Sequence, residues 1–138
     1  MRRCDIGMWG FSAGGHLAAT AGTTFGAGNA SAADAIEREN CRPDFLVLAY
    51  LVITMEAPYV HAGSKRYLLG EAPTQEELDA MSAELHVTAQ TPPTFLYVTT
   101  DDRSVPVMNS VIRLMVARGR FQLPTFALGV VTLEPCTE

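Results

Sequence analysis

Residues 4–20 read CDIGMWGFSAGGHLAAT, and this stretch decides the fold of the 138-residue chain. Residues 4–9 predict a short apolar strand, and residues 13–21 predict a helix built from small residues. Between them lies Gly10-x-Ser12-x-Gly14, the pattern of a nucleophile elbow, in which a serine stands on a sharp strand-to-helix turn. Because that turn is strained, we expect the positions two before and two after the serine to need very small residues.

The elbow predicts nucleophilic chemistry at Ser12. The turn exposes the serine hydroxyl at the carboxyl end of the strand, and the Ala13 backbone N–H at the helix N-terminus points where an oxyanion would develop. Two other interpretations remain. One is a strand–helix turn of a Rossmann-like unit that merely contains a serine. The other is a flavodoxin-like module that holds an anion at the helix N-terminus, although the glycine spacing fits a phosphate cradle poorly.

The rest of the chain alternates strand and helix signals, which favours an α/β fold with a parallel sheet of three to four strands flanked by helices. Strands are predicted at 44–53, 94–99 and 125–133, the first as a continuous apolar run typical of a strand buried on both faces. Helices are predicted at 32–39, 107–117 and from Thr74 through about Met81, where Thr74 and Glu77 form a capping box. Residues 54–73 are expected to be a long irregular connection. The whole of 1–138 is predicted to be one domain.

The chain resembles the α/β-hydrolase serine esterases related to acetyl xylan esterases and other carbohydrate esterases. The stretches that carry the resemblance are GFSAGGHLAAT (10–20), CRPDFLVLAY (41–50), ELHVT (84–88), TPPTFL (91–96) and DDRSVPVMNS (101–110). In this family the acid of the triad stands in an Asp-x-x-Val-Pro motif, which selects Asp102 rather than Asp101. The resemblance therefore implies a partial α/β-hydrolase fold and a Ser12 acyl-enzyme that hydrolyses short acyl esters, with acetylated carbohydrate as the implied substrate.

The sequence departs from the family pattern at both ends. The sequence starts at the elbow strand, so the loop that gives the family its second oxyanion donor is missing from it. Residues 119–138 contain no histidine where the family places its catalytic base. We expect a chain that is truncated before residue 1 and atypical over 118–138, as a truncated clone or a shifted reading frame would make it. The expected activity is weak, and the alternative is an inactive fragment that folds and self-associates.

Three histidines are candidates for a substitute base, and the topology ranks them. Active sites of parallel sheets lie at the carboxyl ends of the strands. His61 follows the predicted 44–53 strand and so lies on the correct side, which makes it the best candidate. His16 is expected to be a hydrogen-bonded interior histidine, and His86 precedes a strand and belongs at the opposite end of the sheet.

Composition limits the partners. The formal net charge of −5 and the lack of a basic run argue against nucleic acid, and no apolar run approaches the length of a membrane span. No His/Cys pair has metal-ligand spacing, and acyl transfer to a serine requires no cofactor, so we predict neither metal nor organic cofactor. The expected ligand is a small ester.

With no signal peptide at residue 1, the default compartment is the cytoplasm. Because the elbow strand would have an open edge, we expect a homo-oligomer or an aggregation-prone monomer.

Overall fold

The computed structural model describes residues 5–99, 102, 104–111 and 126–131. Four strands form one parallel sheet in the order β1-β2-β3-β4, each paired with the next in sequence. They are β1 Gly7–Phe11, β2 Phe45–Ala49, β3 Thr94–Thr99 and β4 Phe126–Val131. The helices are α1 Ser12–Thr23, α2 Ala35–Arg38, α3 Ala62–Leu69 and α4 Gln75–Met81, followed by a 3₁₀ turn at Ala83–His86. The predicted α/β fold with a parallel sheet flanked by helices is confirmed.

The first two strands differ from their predicted bounds. β1 lies at 7–11 rather than 4–9, because its ladder with β2 continues to the pair Phe11↔Ala49, directly before the elbow serine. β2 ends at Ala49 rather than at residue 53, because Tyr50 has a positive φ of 36° that breaks the extended backbone. Leu51, Val52 and Ile53 are nevertheless fully buried. The apolar run therefore marks burial correctly but overstates the length of the strand.

The connection over 54–73 is not wholly irregular, because it contains α3. His61 caps this helix by accepting a hydrogen bond from the Ser64 N–H, and Gly70 ends it with a φ of 84°. Histidine is not among the usual N-cap residues, so the sequence carried no strong start signal. The predicted capping box of α4 is confirmed: Glu77 accepts from the Thr74 backbone N–H and hydroxyl, and these two bonds lower the pKa of Glu77.

The predictions for the second half of the chain are partly tested. The strand predicted at 94–99 matches β3, and the strand predicted at 125–133 contains β4. The helix predicted at 107–117 is seen over residues 108–111, and its remainder lies outside the described residues. None of the helices that the structure describes has the length and apolar character needed to cross a membrane.

The two faces of the sheet have very different surroundings. On one face Leu46, Leu48 and Leu96 are buried beneath α1, against Ala18 and Ala19. Ring side chains line the opposite face and are largely exposed: Trp9, Phe11, Phe45 and Phe95. The prediction that β2 is buried on both faces is therefore wrong for the part of the chain that the structure describes. Among the described strands β1 lies at an edge of the sheet, as predicted.

Candidate active site

Ser12 occupies the strained position that the elbow requires. It follows β1 directly, opens α1 and has a φ of 49°, a left-handed conformation that residues other than glycine rarely adopt. Such strain persists only where the surrounding structure imposes it, and it concentrates at functional sites. The side chain of Ser12 is half-buried. The backbone thus has the form predicted for a nucleophile elbow.

The small residues around Ser12 do not all have the expected role. A Cβ added to Gly10 would lie 2.6 Å from the Gly14 carbonyl carbon and 2.8 Å from the Gly15 Cα, so only glycine fits there. A Cβ on Gly14, by contrast, would meet no described atom within 4 Å. The second crowded position is instead Gly15, whose added Cβ would lie 2.7 Å from the Leu51 Cβ. The elbow therefore needs glycine at positions 10 and 15, and the prediction for Gly14 is not supported by contacts.

The N-terminus of α1 offers backbone donors beside Ser12. No side chain caps this helix, and its first turn holds no acidic residue. The first N–H groups of an α-helix have no partner within the helix, and the helix dipole favours negative charge there. Ala13 is in this first turn and is exposed, so its backbone N–H is one of these donors.

The segment after β2 supports the elbow from the side. The Val52 N–H donates to the Ser12 carbonyl at 3.2 Å, and the Tyr50 N–H donates to the Tyr97 carbonyl at 2.7 Å. The Phe11 and Tyr50 rings lie 5.8 Å apart between centroids. Two neighbouring strands therefore end in a left-handed residue, Ser12 after β1 and Tyr50 after β2, and the two ends are tied together.

Asp102 lies beyond the carboxyl end of β3, at the same edge of the sheet as Ser12. Its Oδ1 accepts from the Ser104 N–H at 2.8 Å and from the Val105 N–H at 2.9 Å. These bonds fix the carboxylate through one oxygen, and Oδ2 has no hydrogen bond to a described residue. β1 and β3 are two strands apart, which separates their ends by about 10 Å.

A buried asparagine joins the segment after β2 to the segment that follows Asp102. Asn109 is fully buried, and its Oδ1 accepts from the Ile53 N–H at 2.9 Å. Its Nδ2 donates to the Tyr59 carbonyl at 3.0 Å and to the Pro106 carbonyl at 3.2 Å. Sequence reasoning missed this residue, although a polar amide in an apolar helical stretch is the signal that could have found it.

All three histidines are engaged with other partners. His16 is buried, and its Nε2 donates to the Met81 carbonyl at 2.7 Å, which confirms the interior, hydrogen-bonded histidine. His86 donates from Nε2 to the Asp79 carbonyl at 3.0 Å. His61 accepts at Nδ1 from the Ser64 N–H at 3.1 Å and lies 2.9 Å from the Ser64 hydroxyl oxygen.

The helix cap determines the tautomer of His61. Because Nδ1 accepts the capping hydrogen bond, the neutral ring carries its proton on Nε2, and the nitrogen with the lone pair is engaged with Ser64. Within the described residues, no histidine is hydrogen-bonded to Ser12 or Asp102. The structure gives His61 a capping role, and its role as a base stays a prediction.

An apolar groove of about 320 Å³ lies between α1 and α3, beside the elbow. It is lined by Ala13, His16, Leu17, Met55, Ser64, Tyr67 and Leu68. Ala13 therefore belongs both to the first turn of α1 and to the lining of the groove. Within the described part of the chain, no three His, Cys, Asp or Glu side chains are grouped so that they could hold a metal ion.

Glu84 is a buried carboxyl group outside the elbow. Glu84 lies in the 3₁₀ turn, which packs on α1, and the residue is 7% exposed. Its Oε2 has no hydrogen-bond partner among the described residues. Burial raises the pKa of Glu84 above its usual value of 4.5. The folded chain therefore binds this proton more tightly than the unfolded chain does.

Glu84 should make the stability of the chain depend on pH. The free energy of unfolding should fall as pH rises from about 4.5 to the raised pKa of Glu84, because the folded state must then bury a charge. We expect Glu84→Gln to remove this fall and to raise the melting temperature at neutral pH by a few degrees. Thermal denaturation across this pH range measures it, with the exposed Glu76→Gln as the control. Parallel profiles for Glu84→Gln and the unmodified chain would contradict the prediction.

Comparison with known proteins decides the family. The BD-FAE family model matches residues 2–114 of the 138. The chain belongs to the BD-FAE family. This BD-FAE chain is 42% identical over 112 residues to endo-1,4-beta-xylanase B of Butyrivibrio fibrisolvens, covering 76% of this chain and 16% of that protein. It is 32% identical over 120 residues to an acetylxylan esterase of Xylanibacter ruminicola, covering 79% of this chain and 21% of that protein.

A solved structure confirms the fold of this BD-FAE chain. The acetyl ester-xyloside bifunctional hydrolase of Caldicellulosiruptor lactoaceticus superposes with a TM-score of 0.86 at 44% identity, covering 93% of this chain and 46% of that one. The fold is therefore that of the α/β-hydrolases, and the resemblance to carbohydrate esterases is confirmed. The chain spans less than half the length of each of these three relatives.

Proposed function

We propose that this BD-FAE chain carries the nucleophile of a carboxylic ester hydrolase, with Ser12 forming the acyl-enzyme. The observation that carries the proposal is the left-handed backbone of Ser12 at the junction of β1 and α1. The named activities of the relatives, an acetylxylan esterase and an acetyl ester hydrolase, support acetylated carbohydrate as the substrate class. The expected ligand is a small ester, and the chemistry of serine acylation calls for no metal or organic cofactor.

The chemistry follows from the elbow. The Ser12 Oγ bonds to the acyl carbon while its proton passes to a base, and the carbonyl oxygen becomes an oxyanion that accepts from the Ala13 N–H. The C–O bond to the leaving alcohol then breaks, and the alcohol oxygen takes the proton. Water repeats the sequence on the acyl-enzyme, which releases the carboxylic acid. Asp102 would orient a protonated base through its Oδ2.

The groove beside Ala13 is the proposed site for the acyl group. It is apolar and begins at the residue that would hold the oxyanion, so an acyl chain bonded to Ser12 could enter it. At about 320 Å³ it is near the lower limit of small-molecule pockets, which suits a short acyl group. Leu17 and Tyr67 are exposed at this groove and would contact the chain beyond its first carbons.

The expected rate is low because no described histidine is hydrogen-bonded to Ser12. Removing one triad member typically leaves about 10³–10⁴-fold acceleration over water. An activated ester with a good leaving group needs the least help from a base. The alternative function, an inactive fragment that self-associates, is favoured by this same lack of a hydrogen bond.

Hydrolysis of p-nitrophenyl acetate tests the proposal. We expect slow turnover by the unmodified chain and background rates for Ser12→Ala, because the acyl-enzyme cannot form without the hydroxyl. His61→Ala is the third arm: an unchanged rate is expected if His61 only caps α3, and a loss with retained melting temperature would identify it as the base. Equal background rates in all three chains would refute hydrolysis and leave the inactive fragment.

A further inference from the structure

The side-chain amide of Asn109 is fully buried, and its partners are backbone groups. Its Oδ1 accepts from the Ile53 N–H at 2.9 Å and from the Thr54 N–H at 3.4 Å. Its Nδ2 donates to the carbonyl oxygens of Tyr59 and Pro106. Both donors of the amide and its acceptor oxygen are therefore used. Because backbone N–H groups lie on one side and carbonyls on the other, the amide has a single favourable orientation.

On one side, Asn109 contacts the segment that supports the elbow. Ile53 follows Val52 in sequence, and the Val52 N–H donates to the Ser12 carbonyl at 3.2 Å. The left-handed backbone of Ser12, with a φ of 49°, persists because its surroundings impose it. Asn109 therefore fixes the residue next to the one that is hydrogen-bonded to Ser12.

On the other side, Asn109 contacts the turn that carries Asp102. Its Nδ2 donates to the Pro106 carbonyl at 3.2 Å. Pro106 follows Val105, whose N–H donates to the Asp102 Oδ1 at 2.9 Å. Val105 is 3% exposed and belongs to the same buried apolar cluster as Val52. The turn is thus bound to the segment after β2 by an apolar contact and by the hydrogen bonds of one amide.

We propose that Asn109 is a positioning residue, which fixes the Asp102 carboxylate relative to Ser12. The inference rests on the proposed function, because the separation of these two side chains matters only if they act in one reaction. Within the described residues, no hydrogen bond joins them directly. An apolar side chain at residue 109 could fill the same volume but could not connect the Ile53 N–H to the Pro106 carbonyl. A displacement of about 1 Å can lower a catalytic rate about 10²-fold, so this connection has a chemical consequence.

Amide hydrogen exchange, measured by NMR on the full chain, tests the connection. Asn109→Asp preserves the shape and the acceptor oxygen of the side chain but removes both N–H donors. We expect the Val105 N–H to exchange at least about tenfold faster in this variant, because its turn opens locally more often. Its proton resonance should also move upfield as the hydrogen bond to Asp102 weakens. The Leu46 N–H, which donates to the Pro93 carbonyl beside β2, should be unaffected.

Ser110→Ala is the matched control. Ser110 is 1% exposed and adjacent in sequence, and its substitution leaves the Asn109 amide in place. The Val105 N–H should then exchange as in the unmodified chain. Circular dichroism first checks that Asn109→Asp is folded; if it is not, Asn109→Ser takes its place. Unchanged exchange at Val105 would overturn the proposal, and so would equal acceleration at Val105 and Leu46, since that result indicates a general loss of stability.

Failure of this inference can be distinguished from failure of the proposed function. Hydrogen exchange requires no turnover, whereas fluorophosphonate labelling of the unmodified chain reports on Ser12 alone. A Ser12 adduct together with unchanged Val105 exchange in Asn109→Asp would refute the positioning role and leave the nucleophile. No adduct on the unmodified chain would refute the proposed function and, with it, a catalytic purpose for Asn109.

Discussion

Gly10→Ala should destabilise the chain by about 3 kcal/mol or unfold it, whereas Gly14→Ala should leave it intact. The added methyl group at residue 10 would press on backbone atoms of Gly14 and Gly15, and backbone in the first turn of α1 cannot move without displacing Ser12. At residue 14 the methyl group meets no described atom, and alanine favours helix over glycine by about 0.5–1 kcal/mol.

Urea denaturation followed by circular dichroism compares the two variants. Both substitutions add one methyl group, at positions four residues apart in the same elbow. The difference between their free energies of unfolding therefore measures the effect of the close contacts at Gly10. Equal losses of stability would show that the crowding does not lie where the structure places it. A stable Gly10→Ala chain would contradict the tight turn itself.

The elbow and the order of elements could be predicted from the sequence because their signals are local. Gly10, Ser12 and the small residues after them specify a turn whose conformation depends on the neighbouring backbone. The capping box of Thr74 and Glu77 is also local, and α4 begins where it predicts. The strand β3 was found at its predicted bounds because Pro93 precedes it and an apolar run follows.

Other features depend on residues that are distant in sequence. The end of β2 is set by the left-handed Tyr50, which no apolar run reveals. α3 begins at His61, whose Nδ1 accepts the capping hydrogen bond. The cap therefore engages the side chain that the sequence predicted as a substitute base. The exposure of Phe45 and Phe95 depends on which elements cover the sheet, so the apolar pattern of each strand does not predict it. At the site, Asp102 lies at the predicted edge, while Asn109 was found only through its long-range hydrogen bonds.

Ser12→Ala should abolish covalent labelling by a fluorophosphonate. The reagent phosphonylates a serine whose hydroxyl is activated, with fluoride as the leaving group and the phosphoryl oxygen in the place of the oxyanion. The left-handed backbone places Ser12 at the N-terminus of α1, where the Ala13 N–H can donate a hydrogen bond to that oxygen. Labelling needs a good leaving group but no hydrolysis of the adduct, so it detects the nucleophile even where turnover is slow.

Ser64 provides the matched control. Ser64 lines the groove beside Ala13, and its hydroxyl oxygen is 2.9 Å from the Nδ1 of His61, so it is a second serine near the elbow and, unlike Ser12, has a histidine partner. Intact-protein mass spectrometry after labelling is therefore measured on the unmodified chain, Ser12→Ala and Ser64→Ala. We expect one adduct on the unmodified chain and on Ser64→Ala, mapped to Ser12, and none on Ser12→Ala. An adduct that persists in Ser12→Ala, or no adduct on any chain, would contradict an activated nucleophile at the elbow.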